Sequence, residues 1–250
     1  MISLINVSKK FIIPENKRGT LLKSIISNIV GQSAHKTIWA LDKVTLDIKR
    51  GETVGLIGQN GSGKSTLLRI VQKIYEPTSG SLKVQGDVAS VLHLDTVFFP
   101  DLSLRDNIFL FGTIMGMDRK GISKNLSRIM DFAELNEFFY AAVRTLSSGM
   151  KQRLAFSVIL HACKDILLFD EIFAERDQRF KQKCFGIIEG LKKEGKTILF
   201  TSHDLNIIKR FCDRVFLLQN GRIVASGDAD EIIQRYADLL LRTDSDKSEV

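Results

Sequence analysis

The chain has 250 residues, a length that suits one large domain or a core with a smaller subdomain. Hydrophobic residues make up 44% of the chain and charged residues 26%, which excludes a disordered chain, a collagen-like repeat and a coiled-coil rod. The formal net charge of +7 is compatible with simple solubility, and equally with nucleic acid, nucleotide phosphates or an anionic membrane surface.

The sequence also lacks the patterns typical of a membrane-spanning helix, a signal peptide, a disulfide framework and a metal site. None of its apolar runs approaches the roughly 18–20 residues that a membrane-spanning helix needs, and residues 1–11 do not resemble a signal peptide. Three scattered cysteines, Cys163, Cys184 and Cys212, provide neither a disulfide framework nor the spacing of a metal site. We therefore predict reduced thiols in a cytoplasmic protein.

The first predicted elements are two strands separated by an insertion. Alternating apolar residues predict strands at 2–11 and 37–48. Between them, residues 14–36 contain a basic amphipathic helix at 19–30. Two interpretations of this helix stay open: it packs on the core of its own domain, or it contacts a membrane surface or a partner.

The middle of the chain is predicted to be helical. A strand at 52–57 ends in a glycine-rich loop, and a helix at 65–75 follows it. Residues 101–162 are mostly helical, and Ser103 with Asp106 forms a capping start for a helix at 104–115.

The last third of the chain alternates short apolar segments with helices, which predicts a parallel sheet covered on both faces. Asn220-Gly221 predicts a type I′ hairpin turn, and the polar tail at 243–250 is expected to fray. The predicted elements are a strand at 166–169, a helix at 179–194, a strand at 197–201, a helix at 205–212, and hairpin strands at 215–219 and 222–225.

The glycine-rich loop carries the most specific motif. Its residues, GQNGSGKS from Gly58 to Ser65, match the phosphate-loop pattern G-x-x-x-x-G-K-[ST] between a strand and a helix. Glycines let backbone N–H groups approach phosphate oxygens, and the helix presents its positive end to the same anion. We therefore expect Lys64 to reach the β- and γ-phosphates of a nucleotide, and the Ser65 hydroxyl to ligate Mg²⁺.

Acidic and polar residues follow two later strands at the carboxyl edge of the sheet, where such sheets bind ligands. The segment ILLFDE places Asp170 and Glu171 at the end of a buried strand. Asp170 is predicted to hold Mg²⁺, and Glu171 to orient and polarise the attacking water. His203, in TSHD after the next strand, is predicted to contact the γ-phosphate or this water.

A further segment, LSSGMKQR at 146–153, starts a helix within the helical region. Small residues at a helix N-terminus form an anion site, yet this segment precedes the Asp170 strand and is expected to lie far from its own phosphate loop. Its natural ligand would be the γ-phosphate bound by a second copy of the chain. This predicts two ATP molecules sandwiched in a head-to-tail dimer.

Together these motifs resemble those of the ATP-binding cassette (ABC) ATPases. LSSGMKQR is similar to that family's LSGGQ signature, and the motifs follow the family's order across residues 1–235. The resemblance implies an α/β fold: a P-loop NTPase core with a parallel sheet, an N-terminal antiparallel β subdomain and an inserted α-helical subdomain. It implies a single domain at 1–242, with the core at 1–100 and 163–242, the helical subdomain at 101–162 and a polar tail at 243–250.

The resemblance also implies roles for individual residues. The signature would touch the partner's ATP, Asp177 would lie in the loop that crosses the dimer, and Phe11 would stack on adenine, with Trp39 the alternative. The implied catalytic residues are Lys64, Glu171 and His203, and the implied metal ligands are Ser65 and Asp170. The implied ATP contacts are Phe11, Gly58, Asn60, Gly61, Ser62, Gly63, Lys64, Ser65, Thr66, Ser147, Ser148 and Gly149.

A narrower resemblance is to the ATPases of bacterial polysaccharide exporters, which move O-antigen, capsule or teichoic-acid chains. It is carried by IWALDKVTLDIKRGE, by the basic insertion after VSKKF, by SSGMKQRLAF and by FFPDLSLRDNI. It implies an ATP hydrolase that uses Mg²⁺ and drives export of a polysaccharide such as lipid-linked O-antigen across the inner membrane. Its partners would be a second copy of itself and a separate transmembrane permease dimer, contacted near 97–105. It would lie at the cytoplasmic face of the bacterial inner membrane, with no nucleic acid expected.

The sequence departs from the family pattern at three places. The glutamine usual before a segment like VFFPDLS is missing, and His93 and Asp95 are the candidates to replace it. Ser148 and Met150 stand where the signature usually has glycine and glutamine, and Arg176 stands where small residues are common. The residues needed for hydrolysis are all present, so we expect an active ATPase.

An alternative hypothesis is a soluble ABC-type ATPase that acts on nucleic acid or ribosomes, which the positive charge permits. Such proteins usually carry a long coiled-coil insertion or two cassettes in one chain, and the sequence has neither. The exporter subunit is therefore the leading hypothesis.

Overall fold

The computed structural model describes residues 1–14, 35–91, 97–162, 164–170 and 178–248. The predictions made for other residues lie outside this description and stay predictions: the amphipathic helix at 19–30, the thiol of Cys163, and the roles of His93, Asp95, Glu171, Arg176 and Asp177. The two described cysteines, Cys184 and Cys212, are free thiols.

Runs of strands and of helices make up the first part of the described chain, and strands and helices alternate regularly from residue 166 to residue 219. In order they are β1 (Ile2–Pro14), β2 (His35–Ile48), β3 (Thr53–Ile57), α1 (Lys64–Val71), β4 (Ser79–Val84), β5 (Val88–Val91), α2 (Leu104–Ile114), α3 (Arg119–Ala133), short 3₁₀ helices at Asn136–Phe138 and Val143–Thr145, α4 (Ser148–His161), β6 (Ile166–Asp170), α5 (Gln178–Lys193), β7 (Thr197–Thr201), α6 (Leu205–Phe211), β8 (Arg214–Gln219), β9 (Arg222–Gly227) and α7 (Ala229–Ser248).

The strands form two sheets. β1, β2 and β4 make an antiparallel sheet with the order β2-β1-β4, and the other strands make a sheet with the order β5-β6-β7-β3-β8-β9. In the second sheet all neighbours are parallel except β9, which pairs antiparallel with β8. Thr201 at the end of β7 pairs with both Asp170 and Leu56. The carboxyl ends of β3, β6 and β7 therefore meet at one edge of the sheet.

Apolar side chains cover both faces of the parallel sheet. On β6, Ile166 and Leu168 pack into a core shared with α1 and the antiparallel sheet, whereas Leu167 and Phe169 pack into a core shared with α2 to α5. Each of these four side chains is almost completely buried, which contributes roughly 1.5–3 kcal/mol per side chain. The near-continuous apolar run that predicted this strand is thus explained by burial on both faces.

Helices α2, α3 and α4 lie between β5 and β6 in the sequence and share one core with the sheet. Each begins after a side chain that accepts a backbone N–H of its first turn: Ser103 before α2, Asp118 before α3 and Ser147 before α4. The predicted start of α2 is therefore confirmed. Among the described residues, no helix has the length and apolar character to span a membrane.

The chain after β9 differs from the prediction. The hairpin turn is confirmed, since Asn220 and Gly221 have φ angles of 47° and 77°. Helix α7 was not predicted, and it runs from Ala229 to Ser248, which includes part of the tail at 243–250 that was expected to fray. Acidic residues in the first turn of α7 favour its N-terminus, and Ile232, Tyr236 and Leu239 pack on the core at helical spacing. Once begun, a helix gains one hydrogen bond for each residue added.

Candidate nucleotide-binding and catalytic site

The phosphate loop joins the end of β3 to the start of α1 and depends on two close backbone contacts. A Cβ atom at Gly58 would lie 2.1 Å from the carbonyl oxygen of Leu218, and one at Gly63 would lie 2.5 Å from that of Ala40. Gly63 also has a φ angle of 111°, which side chains disfavour. The glycines at both ends of the loop are therefore required by its packing on β2 and β8.

Lys64, the first residue of α1, folds back over the loop that precedes it. Its ammonium group donates hydrogen bonds to the carbonyl oxygens of Gly58 at 2.7 Å and Gln59 at 3.1 Å, although only 6% of the residue is exposed. Helix α1 has no acidic residue in its first turn and no side-chain cap. A buried cation and the positive end of a helix thus lie together, which is the electrostatic pattern of a phosphate site.

Three oxygen-bearing side chains meet at the edge of the sheet. Ser65 Oγ donates a hydrogen bond to Asp170 Oδ2 at 3.3 Å, and Thr201 Oγ1 donates one to Asp170 Oδ1. Hydroxyl and carboxylate oxygens are the ligands that Mg²⁺ prefers, and Mg²⁺ at such sites keeps waters and phosphate oxygens as its other ligands. The donor set of Ser65 and Asp170 therefore fits the predicted ion, with Thr201 supporting the carboxylate.

No group of three or more His, Cys, Asp or Glu side chains suited to hold a metal occurs within the described ranges. A site with one carboxylate and one hydroxyl depends on the phosphates to complete its coordination, so the ion and the nucleotide are expected to bind together.

His203 lies just beyond this edge, in the turn between β7 and α6. Its side chain is exposed, while Thr201 and Ser202 before it are buried. Asp204 after it accepts a hydrogen bond from the backbone N–H of Asn206 and caps α6. The structure thus places Lys64, Ser65, Asp170 and His203 at or just beyond the carboxyl ends of three adjacent strands, β3, β6 and β7. Glu171, the residue directly after Asp170, lies outside the described part of the chain.

The signature residues stand at the N-terminus of α4. Ser147 accepts the backbone N–H of Met150 at 3.3 Å, and both Ser147 and Ser148 are exposed while Gly149 is half-buried. α4 has no acidic residue in its first turn. This helix end is therefore open to solvent and electrostatically suited to an anion.

The two aromatic candidates for the adenine contact differ in their surroundings. Phe11 packs edge-to-face on Tyr75 with ring centroids 5.5 Å apart. Trp39 is 52% exposed and precedes Ala40, whose carbonyl oxygen touches the phosphate loop at Gly63. Both aromatics lie on the paired ends of β1 and β2, where Phe11 is opposite Ile38 and Lys10 is opposite Trp39.

Sequence reasoning missed two side chains that support the site. Thr201 was noted only as part of a motif, because its bond to Asp170 depends on the register of β6 and β7. Lys181 on α5 donates a hydrogen bond to Asp204 Oδ2 at 3.0 Å, and a surface lysine gives no signal of such a contact in the sequence.

Comparison with known proteins identifies the protein family. The sequence profile of the family described as "ABC transporter" matches residues 41–174, more than half of the chain, so the chain belongs to the ABC transporter family and to its ATP-hydrolysing cassettes. The predicted family resemblance, α/β fold and ATPase class are confirmed.

Individual proteins and solved structures are also similar to this chain. The chain is 43% identical to the O-antigen export system ATP-binding protein RfbB of Klebsiella pneumoniae over 197 residues, which cover 79% of this chain and 80% of RfbB. It is 36% identical to the teichoic acids export ATP-binding protein TagH of Listeria innocua over 235 residues, or 94% of this chain and 69% of TagH. The dimeric structure of MJ0796, a bacterial ABC transporter cassette, matches with a TM-score of 0.72 and 26% identity, covering 92% of this chain and 99% of MJ0796.

Proposed function

We propose that this chain is the ATP-binding and ATP-hydrolysing subunit of an exporter that drives a polysaccharide, such as a lipid-linked O-antigen, across the inner membrane. The observation that carries the proposal is the 43% identity to an O-antigen export ATP-binding protein over 79% of this chain. The similarity to a teichoic acid export protein over 94% of the chain supports the same substrate class. These relatives do not favour the alternative of an ATPase that acts on nucleic acid or ribosomes.

In this proposal the phosphate loop, from Gly58 through Thr66, wraps the phosphates of ATP. Lys64 neutralises the β- and γ-phosphates, since its ammonium group already lies against the loop, on the carbonyl oxygens of Gly58 and Gln59. Ser65 and Asp170 would hold Mg²⁺ through a hydroxyl and a carboxylate oxygen. When bound, the ion neutralises charge on the phosphates.

Hydrolysis also requires groups that act on water and on the γ-phosphate. Glu171 follows Asp170 at the end of β6, and a carboxylate there would orient the attacking water. His203 emerges after β7, adjacent to β6, and would contact the γ-phosphate. Phe11 would stack on the adenine base, with Trp39 the alternative.

The site is completed by a second copy of the chain. Ser147, Ser148 and Gly149 would bind the γ-phosphate held by the partner's phosphate loop, so that two copies enclose two ATP molecules. The exposed, acid-free N-terminus of α4 and the dimeric structure of the MJ0796 cassette support this arrangement. ATP then drives closure because it binds the closed dimer better than the open subunits.

The permease would dock on the segment at 97–105. The amide of the buried Asn107 organises this segment: its nitrogen donates to the carbonyl oxygens of Phe99, Leu102 and Ser103, and its oxygen accepts the N–H of Phe99. Phe99, Leu102 and nearby Tyr140 present exposed apolar side chains, which suits a protein partner. The subunit would thereby be held at the cytoplasmic face of the inner membrane.

The variant Glu171→Gln tests the enzymatic part of the proposal. It should abolish turnover and accumulate an ATP-bound dimer in size-exclusion chromatography, because the amide cannot polarise water. Glu189→Gln on α5 is the matched control and should hydrolyse ATP as the wild type does. Normal turnover by the Glu171→Gln variant, or the absence of a trapped dimer, would contradict the assignment.

Pull-down of the tagged chain from membranes tests the transport part. The expected result is recovery of a polytopic membrane protein together with a lipid-linked glycan. Recovery of ribosomes or nucleic acid instead would support the alternative function.

A further inference from the structure

The turn that carries His203 is held by its two neighbours. Ser202 Oγ accepts the backbone N–H of Asp204 at 3.0 Å, and Asp204 Oδ1 accepts the backbone N–H of Asn206 at 3.1 Å. Both bonds are local, so they fix the shape of the turn but not its position relative to the rest of the molecule.

A longer contact ties this turn to helix α5. Lys181 Nζ lies 3.0 Å from Asp204 Oδ2, and the two side chains are 21% and 38% exposed. The Lys181 ammonium group also lies 5.8 Å from the ring centroid of Phe185, one turn further along α5, which restricts its freedom. Burial alone would raise the pKa of Asp204, but the hydrogen bond and charge of Lys181 lower it below its ordinary value. The carboxylate therefore stays charged and uses one oxygen for α6 and the other for α5.

We propose that Lys181 is a positioning residue for ATP hydrolysis: it holds Asp204, and through it the turn that aims His203 at the γ-phosphate. The inference rests on the proposed function, in which His203 contacts that phosphate. Lys181 itself touches no reacting atom. Its helix begins at Gln178, directly after the segment that ends in Asp177, so the link joins His203 to the helix that follows the predicted dimer-crossing loop.

Another lysine of α5 offers a matched control. Lys192 donates hydrogen bonds to the carbonyl oxygen of Phe211 and to Asp213 Oδ1. Asp213 Oδ2 accepts the backbone N–H of Thr53 at the start of β3. Lys192 thus makes the same kind of contact as Lys181, but at the end of the sheet opposite the phosphate loop.

The test compares kcat and KM for ATP in the purified 250-residue chain. Lys181→Met should lower kcat by about 10- to 100-fold, the scale expected when a reacting group is misplaced, while KM for ATP stays within about twofold because the phosphate loop is untouched. Lys181→Arg should recover most of the rate, since it restores a cation that can reach Asp204. Lys192→Met should keep the wild-type kcat.

A double-mutant cycle tests whether Lys181 acts through Asp204. Asp204→Asn should lower kcat to a similar extent, and the Lys181→Met/Asp204→Asn variant should be little worse than either single variant. If Lys181→Met does not fold by circular dichroism, Asp204→Asn carries the same expectation with Lys181 intact.

Two results would overturn the inference: unchanged kcat in Lys181→Met while His203→Ala is inactive, or equal losses in Lys181→Met and Lys192→Met. A wild-type chain without ATPase activity would instead contradict the proposed function itself, so the two failures are distinguishable.

Discussion

The ammonium nitrogen of Lys183 lies 2.7 Å from Oε1 of Glu134, and this ion pair joins the middle of α5 to the end of α3. Glu134 has a left-handed backbone with a φ of 58° and also lies 3.5 Å from Arg153 on α4. The Lys183 nitrogen lies 3.4 Å from the carbonyl oxygen of Phe132. A cation at this position stabilises the C-terminal end of α3. One carboxylate thus connects α3, α4 and α5.

We expect Glu134→Gln to lower the free energy of unfolding by about 0.2–1 kcal/mol at neutral pH, a small effect because both side chains of the main pair are about a third exposed. The hydrogen bond from Lys183 lowers the pKa of Glu134 below its ordinary value. A lowered pKa stabilises the fold above the unfolded-state pKa, and this contribution is lost as the pH falls through the folded-state pKa. Urea unfolding at neutral and acidic pH should show a difference from wild type only at neutral pH.

Glu137→Gln is the control for this prediction, since Glu137 is exposed in the short helix that follows α3. It should unfold like the wild type at both pH values. A Glu134→Gln effect that persists unchanged in acid would show that the ion pair is not its source.

Features were predictable from the sequence when the residues that form them are close together in the chain. The phosphate loop was predictable because its glycines, Lys64 and Ser65 act within one short segment. The bonds from Ser65 and Thr201 to Asp170 depend on the register of three strands, and the motif order indicated only that these segments meet.

Features built from surface charges were not predictable. Lys181 contacts a residue 23 positions away in the sequence, and Lys183 contacts one 49 positions away. The sequence does not indicate which of the many lysines form such contacts. Helix α7 was not predicted because the sequence after Thr243 is polar. Ile232, Tyr236 and Leu239 have helical spacing, but only the structure shows that they pack together on the core.

Lys64→Met should lower the rate of ATP hydrolysis by roughly 10²–10³-fold, the loss typical when a group that stabilises developing negative charge is removed. Phosphate release at saturating ATP and Mg²⁺ measures this directly. Lys83→Met, an exposed lysine on β4, removes the same charge away from the loop and should have no effect. A residual rate within tenfold of wild type would contradict the role given to Lys64.

Thr201→Val should raise the Mg²⁺ concentration needed for half-maximal hydrolysis by about 10- to 100-fold, since residues that hold a metal ligand in place contribute on that scale. The valine keeps the buried shape but cannot donate to Asp170. Thr197→Val, on the same strand, removes a hydroxyl that accepts the Gly51 N–H at the opposite end of β7. It should change stability rather than the Mg²⁺ requirement. Equal Mg²⁺ curves for both variants would exclude a specific role for Thr201.

Trp39 is the single tryptophan of the chain, and its neighbour Ala40 touches the phosphate loop. We expect its fluorescence to change when ADP with Mg²⁺ binds. Phe11→Ala should weaken nucleotide binding measured in this way by about 1–3 kcal/mol, the energy of stacking a base on an aromatic ring, whereas Phe99→Ala should not. A larger loss in Trp39→Ala than in Phe11→Ala, measured calorimetrically, would make Trp39 the adenine platform instead.

Asn107 offers a way to disturb the proposed permease surface from inside. Asn107→Leu removes every hydrogen bond that the amide side chain makes to the segment at 97–105. The carbonyl oxygens of Phe99, Leu102 and Ser103 each keep a backbone N–H partner, but the Phe99 N–H loses the acceptor that Asn107 provides, which costs roughly 1–3 kcal/mol. We expect lower thermal stability and loss of the permease from pull-downs.

Phe99→Glu should lose the permease without the loss of stability, because its side chain is exposed and a charge there opposes an apolar contact. Leu110→Glu changes an equally apolar, exposed residue of α2 outside the segment and should retain the permease. If Phe99→Glu retains it and Leu110→Glu loses it, the permease binds the outer face of α2 rather than the segment at 97–105.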